Sequence, residues 1–265
     1  MAERADQLIG VLRTEFDELA ARVRTLSDDD LARTSGAAEW DVSQVLSHLG
    51  SGAEISLRGL DGAIDGTGTA QIDFIRGVWA RYDGMSRRER AENFLTANEA
   101  LLGRLEGLDE RTKQELSIEL WFPMPPVDVA GFALLRLGEF AYHHWDVKVA
   151  FDPAETISPI AVEPLLERVP DLVGRLLGKP EGLGGRHAAI AVRLSDPERS
   201  FGLYIGERVT VGDTPAEPDG VLTAPAEYWL RLAYGRHRPE HTPATVEFAS
   251  EKFTLDDLRR VFPGF

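Results

Sequence analysis

The chain of 265 residues contains no cysteine. It therefore cannot form a disulfide, a catalytic thiolate, an iron–sulfur cluster or a zinc site with cysteine ligands. Any metal ion must be bound by histidine, aspartate or glutamate, and the chain has six histidines. Any reaction that depends on a thiol must take that thiol from outside the protein.

Basic residues are also scarce, because 29 Lys+Arg stand against 44 Asp+Glu and give a formal net charge of −15. This balance argues against nucleic acid and against an anionic membrane surface as the main partner. No apolar run approaches the ~20 residues that cross a bilayer, and the polar N-terminus lacks the pattern of a signal peptide. We therefore expect a cytoplasmic protein that acts on small molecules. The oligomeric state is left open.

The hydrophobic pattern changes near Pro180 and predicts two domains. Before it, apolar residues recur every three or four positions, which is typical of amphipathic helices. The predicted helices cover about residues 3–25, 42–62, 70–82, 86–107, 126–150 and 159–177. After it, alternating patterns predict strands near 187–194, 201–205, 208–211, 221–223 and 245–248, with helices near 225–234 and 254–261. We expect a helical domain of residues 1–180 and a small α+β domain of residues 181–265.

The helix predicted over residues 126–150 carries polar groups on an apolar face. Residues on this face recur every three or four positions: Phe132, Leu135, Glu139, His143, Asp146 and Ala150. An unpaired charge on a core-facing stripe costs several kcal/mol, and a shared cation would offset that cost for Glu139 and His143. Spacing alone leaves an alternative, in which the two pair with each other or with an arginine.

His48 is a second candidate ligand, at the edge of the apolar row Val42, Val45, Leu46 and Leu49. Alone, it is more typical of a satisfied core histidine. Together with Glu139 and His143 it would complete a set of two imidazoles and one carboxylate, with one position open for water or substrate. This set suits zinc, although nickel or iron could also occupy it. Asp146 is a possible fourth ligand.

Three stretches carry a resemblance to a known family. Residues 40–49 (WDVSQVLSHL) resemble the tryptophan-led helix ending in His-Leu of DinB-like metalloproteins. Residues 139–147 (EFAYHHWDV) resemble the Glu-x-x-x-His-x-x-Asp helix of the mycothiol-dependent maleylpyruvate isomerase family. Residues 234–236 (YGR), after a helix that contains tryptophan, are similar to the small sterol-carrier-protein-like α/β domain of that family.

The resemblance implies a DinB-like, up-down four-helix bundle that holds a divalent metal, usually zinc, followed by a small α+β domain. It implies His48, Glu139 and His143 as metal ligands and Arg236 as an arginine near the active cleft. It also implies mycothiol, the low-molecular-weight thiol of actinobacteria, as cofactor or cosubstrate.

We therefore interpret the chain as an enzyme, a metal- and mycothiol-dependent cis–trans isomerase or thiol S-transferase acting on a small electrophile. A metal-bound thiol would lose its proton at neutral pH and add to the substrate, while Arg236 would hold a carboxylate of substrate or thiol. The alternative is a non-catalytic small-ligand-binding protein with a structural metal. A fourth protein ligand such as Asp146 would favour that alternative, because structural sites are closed.

Overall fold

The computed structural model describes residues 2–37 and 39–264. The chain divides into two compact units, Met1–Phe151 and Asp152–Phe265. Helices of the first unit are α1 (Ala2–Val23), α2 (Asp28–Leu31), α3 (Val42–Asp65), α4 (Ile72–Asp83), α5 (Arg87–Glu106), α6 (Glu110–Glu115) and α7 (Val129–Lys148). None of the described helices is long and apolar enough to cross a membrane.

Side-chain caps determine where the long helices begin. Asp41, Ser86 and Asp128 each accept a hydrogen bond from the backbone N–H three residues further on, which satisfies one of the donors left free in the first helical turn. The predicted start of α7 at Pro126 is wrong, because Asp128 caps the helix and the preceding Val127 forms a β-bridge with Ile118.

Four long helices form the predicted four-helix bundle. Helix α1 packs against α5 and α7, and α3 also packs against α5 and α7. Helices α1 and α3 therefore lie diagonally opposite each other, and the connection between them crosses the bundle. In a simple up-down bundle, helices that follow each other in sequence are neighbours, so this arrangement differs from it. The rings of Phe16, Phe94 and Phe140 meet in the core with centroids 5.9 to 6.3 Å apart.

The second unit combines short helices with a mixed sheet, as predicted. Its helices are α8 (Pro159–Leu166), α9 (Val169–Leu172), α10 (Ala226–Ala233) and α11 (Leu255–Val261). Its strands are β1 (Ala188–Ser195), β2 (Arg199–Ile205), β3 (Val209–Gly212), β4 (Gly220–Pro225) and β5 (Glu247–Ala249). The sheet order over the described residues is β3-β2-β1-β4-β5, with β1 and β4 parallel and the other pairs antiparallel.

The segment before residue 180 differs from its prediction in two ways. The single helix expected over residues 159–177 is divided into α8, α9 and a π-helical turn over Val173–Leu177, since Pro170 starts a new helical turn. Helix α8 packs against α10 and belongs to the second unit. Hydrophobic periodicity identifies a helix but not the partner it packs against. Independent folding of residues 1–180 stays a prediction.

Candidate metal centre

Helices α3 and α7 bring the three predicted ligands together. His48 lies on α3, while Glu139 and His143 lie one turn apart on α7. His48 Nε2 is 3.1 Å from Glu139 Oε2, and the two imidazole rings have centroids 4.7 Å apart. One potential ligand atom from each of the three residues lies within 4.8 Å of the others.

The donor set fits a divalent ion. Two ligand atoms that are each ~2.0–2.1 Å from zinc in a tetrahedral shell lie about 3.3 Å apart, close to the 3.1 Å between His48 Nε2 and Glu139 Oε2. Two imidazoles and one carboxylate are also ligand types that zinc accepts. Nickel and iron can bind the same ligand types, so the set does not select zinc alone. The residues present are therefore compatible with the metal that the sequence predicted.

The cluster opens to solvent at Glu139, whose side chain is 54% exposed, whereas that of His143 is 13% exposed. Burial by the surrounding protein would raise the pKa of Glu139. The hydrogen bond from His48 and the charges of His143, His48 and Arg136 outweigh it and lower that pKa to about 2. The carboxylate is therefore exposed to solvent while its charged neighbours favour the ionised form. It is ionised at neutral pH and available to a cation.

Asp146 holds the ring of His143. Its Oδ2 lies 2.8 Å from His143 Nδ1, and its side chain has no solvent exposure. An ionised carboxylate only accepts hydrogen bonds, so Nδ1–H donates and the lone pair of Nε2 is directed elsewhere. This carboxylate–histidine pairing is the arrangement that orients histidine ligands in metal sites. The set of possible ligands among the described residues contains His48, Glu139 and His143, without Asp146.

Trp40 packs against both imidazoles. Its ring is stacked on His143 at 6.0 Å and lies 5.3 Å from His48. Ser35 Oγ donates to the Trp40 carbonyl at 2.9 Å, and Gly36 N–H donates to the Asp146 carbonyl at 2.8 Å. A Cβ at Gly36 would lie 2.8 Å from Asp146 Oδ1, so this close approach requires glycine.

Two arginines, Arg136 and Arg236, differ in how far the sequence pointed to them. Arg136 is buried on α7, one turn before Glu139, and the sequence analysis missed it. The available signal was a single cation inside the apolar stretch 129–138. The predicted Arg236 lies in the second unit just after α10, where its backbone N–H donates to the Arg231 carbonyl at 2.8 Å. Its role toward a substrate stays a prediction.

Comparisons with known proteins agree with the resemblance. Residues 12–148 match the family model described as mycothiol maleylpyruvate isomerase N-terminal domain. Two similar solved structures are the mycothiol-dependent maleylpyruvate isomerase and a variant of it with one histidine changed to alanine, at 11% and 10% identity. Each has a TM-score of 0.66 and covers 94% of this chain and 95% of its own. At this identity the likeness shows the fold alone. No curated protein matches the chain.

The family model spans more than half of the chain and includes all three candidate ligands. The resemblance inferred from residues 40–49 and 139–147 is confirmed, and it supports an enzyme over a non-catalytic binding protein. The chain belongs to the mycothiol maleylpyruvate isomerase N-terminal domain family.

Proposed function

We propose that this protein is a metal-dependent enzyme that uses mycothiol as a nucleophile toward a small electrophilic substrate. The observation that carries this proposal is the group of three donors, His48, Glu139 and His143, within 4.8 Å of one another, with Glu139 exposed to solvent. Three protein ligands leave a coordination position for an exogenous molecule, as in catalytic zinc sites. The family of the chain supports mycothiol as that molecule.

The residues of the centre have distinct roles in this proposal. His48, Glu139 and His143 would hold the ion, which when bound supplies the Lewis acidity that lowers the pKa of a thiol. Asp146 keeps Nδ1 of His143 protonated, because its Oδ2 accepts that hydrogen bond, and so keeps Nε2 available as a ligand. Trp40 restricts both imidazole rings through its packing against them.

The reaction that best fits the family is cis–trans isomerisation of a conjugated alkene such as maleylpyruvate. The thiolate adds to an alkene carbon, the former double bond rotates, and elimination of the thiolate restores the alkene. No atom is gained or lost, so free thiol is regenerated. An S-transferase would share the addition step and retain the thioether, consuming one thiol per product. Arg236, in this proposal, binds a carboxylate of the substrate or the thiol.

A metal and activity assay on the full chain tests the proposal. Purified protein should contain about one divalent ion per chain by mass spectrometry of metals, and zinc is the ion that we expect. The double variant His48→Ala, His143→Ala should lose it. The metal-loaded protein should convert maleylpyruvate in the presence of mycothiol more efficiently than with glutathione. Unchanged turnover without any thiol would contradict the mechanism.

Two further measurements separate the alternatives. The concentration of free thiol at completion should be unchanged for an isomerase and reduced one-for-one for a transferase. Thiol binding to the metal-loaded protein should release a proton, which calorimetry in buffers of different ionisation enthalpy detects. A tightly bound ion with neither thiol binding nor turnover would instead support a small-ligand-binding protein with a structural metal.

A further inference from the structure

Arg136 is a buried cation whose charge the protein leaves poorly compensated. The residue is 8% exposed, and its Nε and Nη2 atoms are buried without a hydrogen-bond partner in the described part of the chain. Arginine remains charged in proteins, and an uncompensated buried charge is strongly destabilising. Burial lowers the pKa of Arg136, and the charge of Glu139 is the influence that opposes it.

Arg231 in the second unit is a buried arginine whose guanidinium is paired with a carboxylate. It is fully buried, and its Nε and Nη2 donate to the two carboxylate oxygens of Glu227 at 2.7 and 2.9 Å. This bidentate geometry is the preferred one for a guanidinium and a carboxylate. In Arg136 the equivalent Nε–Nη2 edge has no such partner. The missing partner is therefore best matched by a carboxylate.

The guanidinium of Arg136 lies next to the metal centre along the interface of α3 and α7. Gly52 follows His48 by one turn on α3, and Arg136 precedes Glu139 by one turn on α7. A Cβ at Gly52 would lie 3.1 Å from Arg136 Nη1, and no other side chain among the described residues comes within 4 Å of that Cβ. The glycine thus makes room for the guanidinium. One helical turn is ~5.4 Å, a distance that a small unsaturated acid spans.

We propose that Arg136 is a substrate-binding residue whose Nε–Nη2 edge receives a carboxylate of the electrophilic substrate. The inference rests on the proposed function and adds to it a residue that would position the substrate carboxylate one helical turn from Glu139. Both nitrogens are shielded from solvent, so the proposed binding requires the guanidinium to rotate toward the carboxylate. A bound carboxylate would accept hydrogen bonds from Nε and Nη2 of Arg136 and would compensate its positive charge.

Maleate binding to the metal-free full chain tests this inference without requiring turnover. The dissociation constant, measured by calorimetry or NMR titration, should rise about 10- to 100-fold in Arg136→Gln, because charge-assisted hydrogen bonds are lost. Arg111→Gln is the matched control, since it removes an exposed arginine of the same unit that pairs with Glu115. Its maleate affinity should equal that of the wild type. Neutral dimethyl maleate should not discriminate among the three proteins.

A second pair of variants separates ligand binding from a structural role. Arg136→Met removes the unpaired charge and should melt at or above the temperature of the wild type while losing maleate affinity. Gly52→Ala keeps the arginine but places a methyl group 3.1 Å from Nη1, and it should weaken maleate binding by displacing the guanidinium. A lower melting temperature of Arg136→Met with unchanged maleate affinity would show a structural role and overturn the inference.

The outcomes also separate this inference from the proposed function. Maleate binding that depends on Arg136 in a protein without thiol-dependent turnover would support the carboxylate site and reject the proposed reaction. Thiol-dependent turnover with the same KM in wild type and Arg136→Met would support the reaction and reject the site. Failure of the wild type to bind maleate, with or without metal, would likewise overturn the site.

Discussion

Replacement of Asp146 by asparagine would test how the fold prepares His143 for a metal ion. Asp146 is completely buried, and its Oδ2 accepts the hydrogen bond from His143 Nδ1 over 2.8 Å. Asparagine has nearly the same shape, so the close packing against Gly36 is preserved. The change removes the negative charge that increases the basicity of the imidazole and fixes its tautomer.

Loss of such a partner typically reduces metal affinity 10- to 100-fold, which corresponds to about 1.4–2.7 kcal/mol. The contact in this protein is short, charge-assisted and shielded from water. Each of these properties strengthens a hydrogen bond. We therefore expect Asp146→Asn to fall in the upper half of that range, near 100-fold, with a melting temperature of the metal-free protein close to that of the wild type.

Competition between the zinc-loaded protein and a chromophoric chelator would measure the affinity. The chain offers a matched control in Glu15→Gln, because Glu15 Oε2 on α1 lies 2.7 Å from Nδ1 of His144, which follows His143 on α7, and both side chains are buried. Glu15→Gln weakens a similar carboxylate–histidine pair and should leave zinc affinity unchanged. Equal zinc affinity in wild type and Asp146→Asn, or equal losses in both variants, would refute the assigned role of Asp146.

Three other changes test the scaffold. Burial raises the pKa of Asp41, but hydrogen bonds from Ser43 and Arg87 lower it on balance. The ionised carboxylate of Asp41 therefore stabilises the fold at pH values above its ordinary pKa of 3.8, and this stabilisation is lost as the pH falls below that value. Asp41→Asn keeps the helix cap. In thermal melts this variant should lose less stability between pH 5 and 3 than the wild type loses. Phe16→Ala should cost about 3–5 kcal/mol in denaturant titrations, because Phe16 is fully buried in the bundle, and a cost below ~1 kcal/mol would contradict that packing. A fragment of residues 1–151 should melt cooperatively and bind zinc; a fragment that folds only when extended to residue 180 would favour the boundary predicted from sequence.

Local spacing predicted the part of the centre that lies on one helix. Glu139 and His143 are four residues apart, so helical geometry alone places them on one face. His144 is turned by ~100° relative to His143, and it lies in a different environment, against the buried carboxylate of Glu15. His48 is 91 residues from Glu139, and periodicity carries no information over that distance. The family motif, rather than the spacing, placed it with the others.

The partners of buried groups could not be predicted, because they depend on which helices meet. The same-face pattern placed Asp146 near His143 but did not distinguish a metal ligand from a residue that holds a ligand. Arg136 stood in an apolar stretch without a carboxylate at helical spacing before it, and its significance depends on Gly52 across the interface. Likewise, α8 has a helical pattern, yet its partner α10 lies in the second unit.

The hydrogen bond between Asp146 and His143 also helps to distinguish a catalytic metal site from a structural one. A structural zinc site is closed by four protein donors, whereas a catalytic one keeps a position open. Over the residues that the structure describes, the possible ligand set has three members, and the carboxylate of Asp146 accepts a hydrogen bond from His143. Of the three candidate ligands, Glu139 has the most exposed side chain, at 54%. An open coordination position beside the buried guanidinium of Arg136, whose Nε and Nη2 have no hydrogen-bond partner among the described residues, would suit a site that receives an anionic reactant. A site that only stabilises the fold would gain nothing from this arginine, since an uncompensated buried charge lowers stability until a ligand binds.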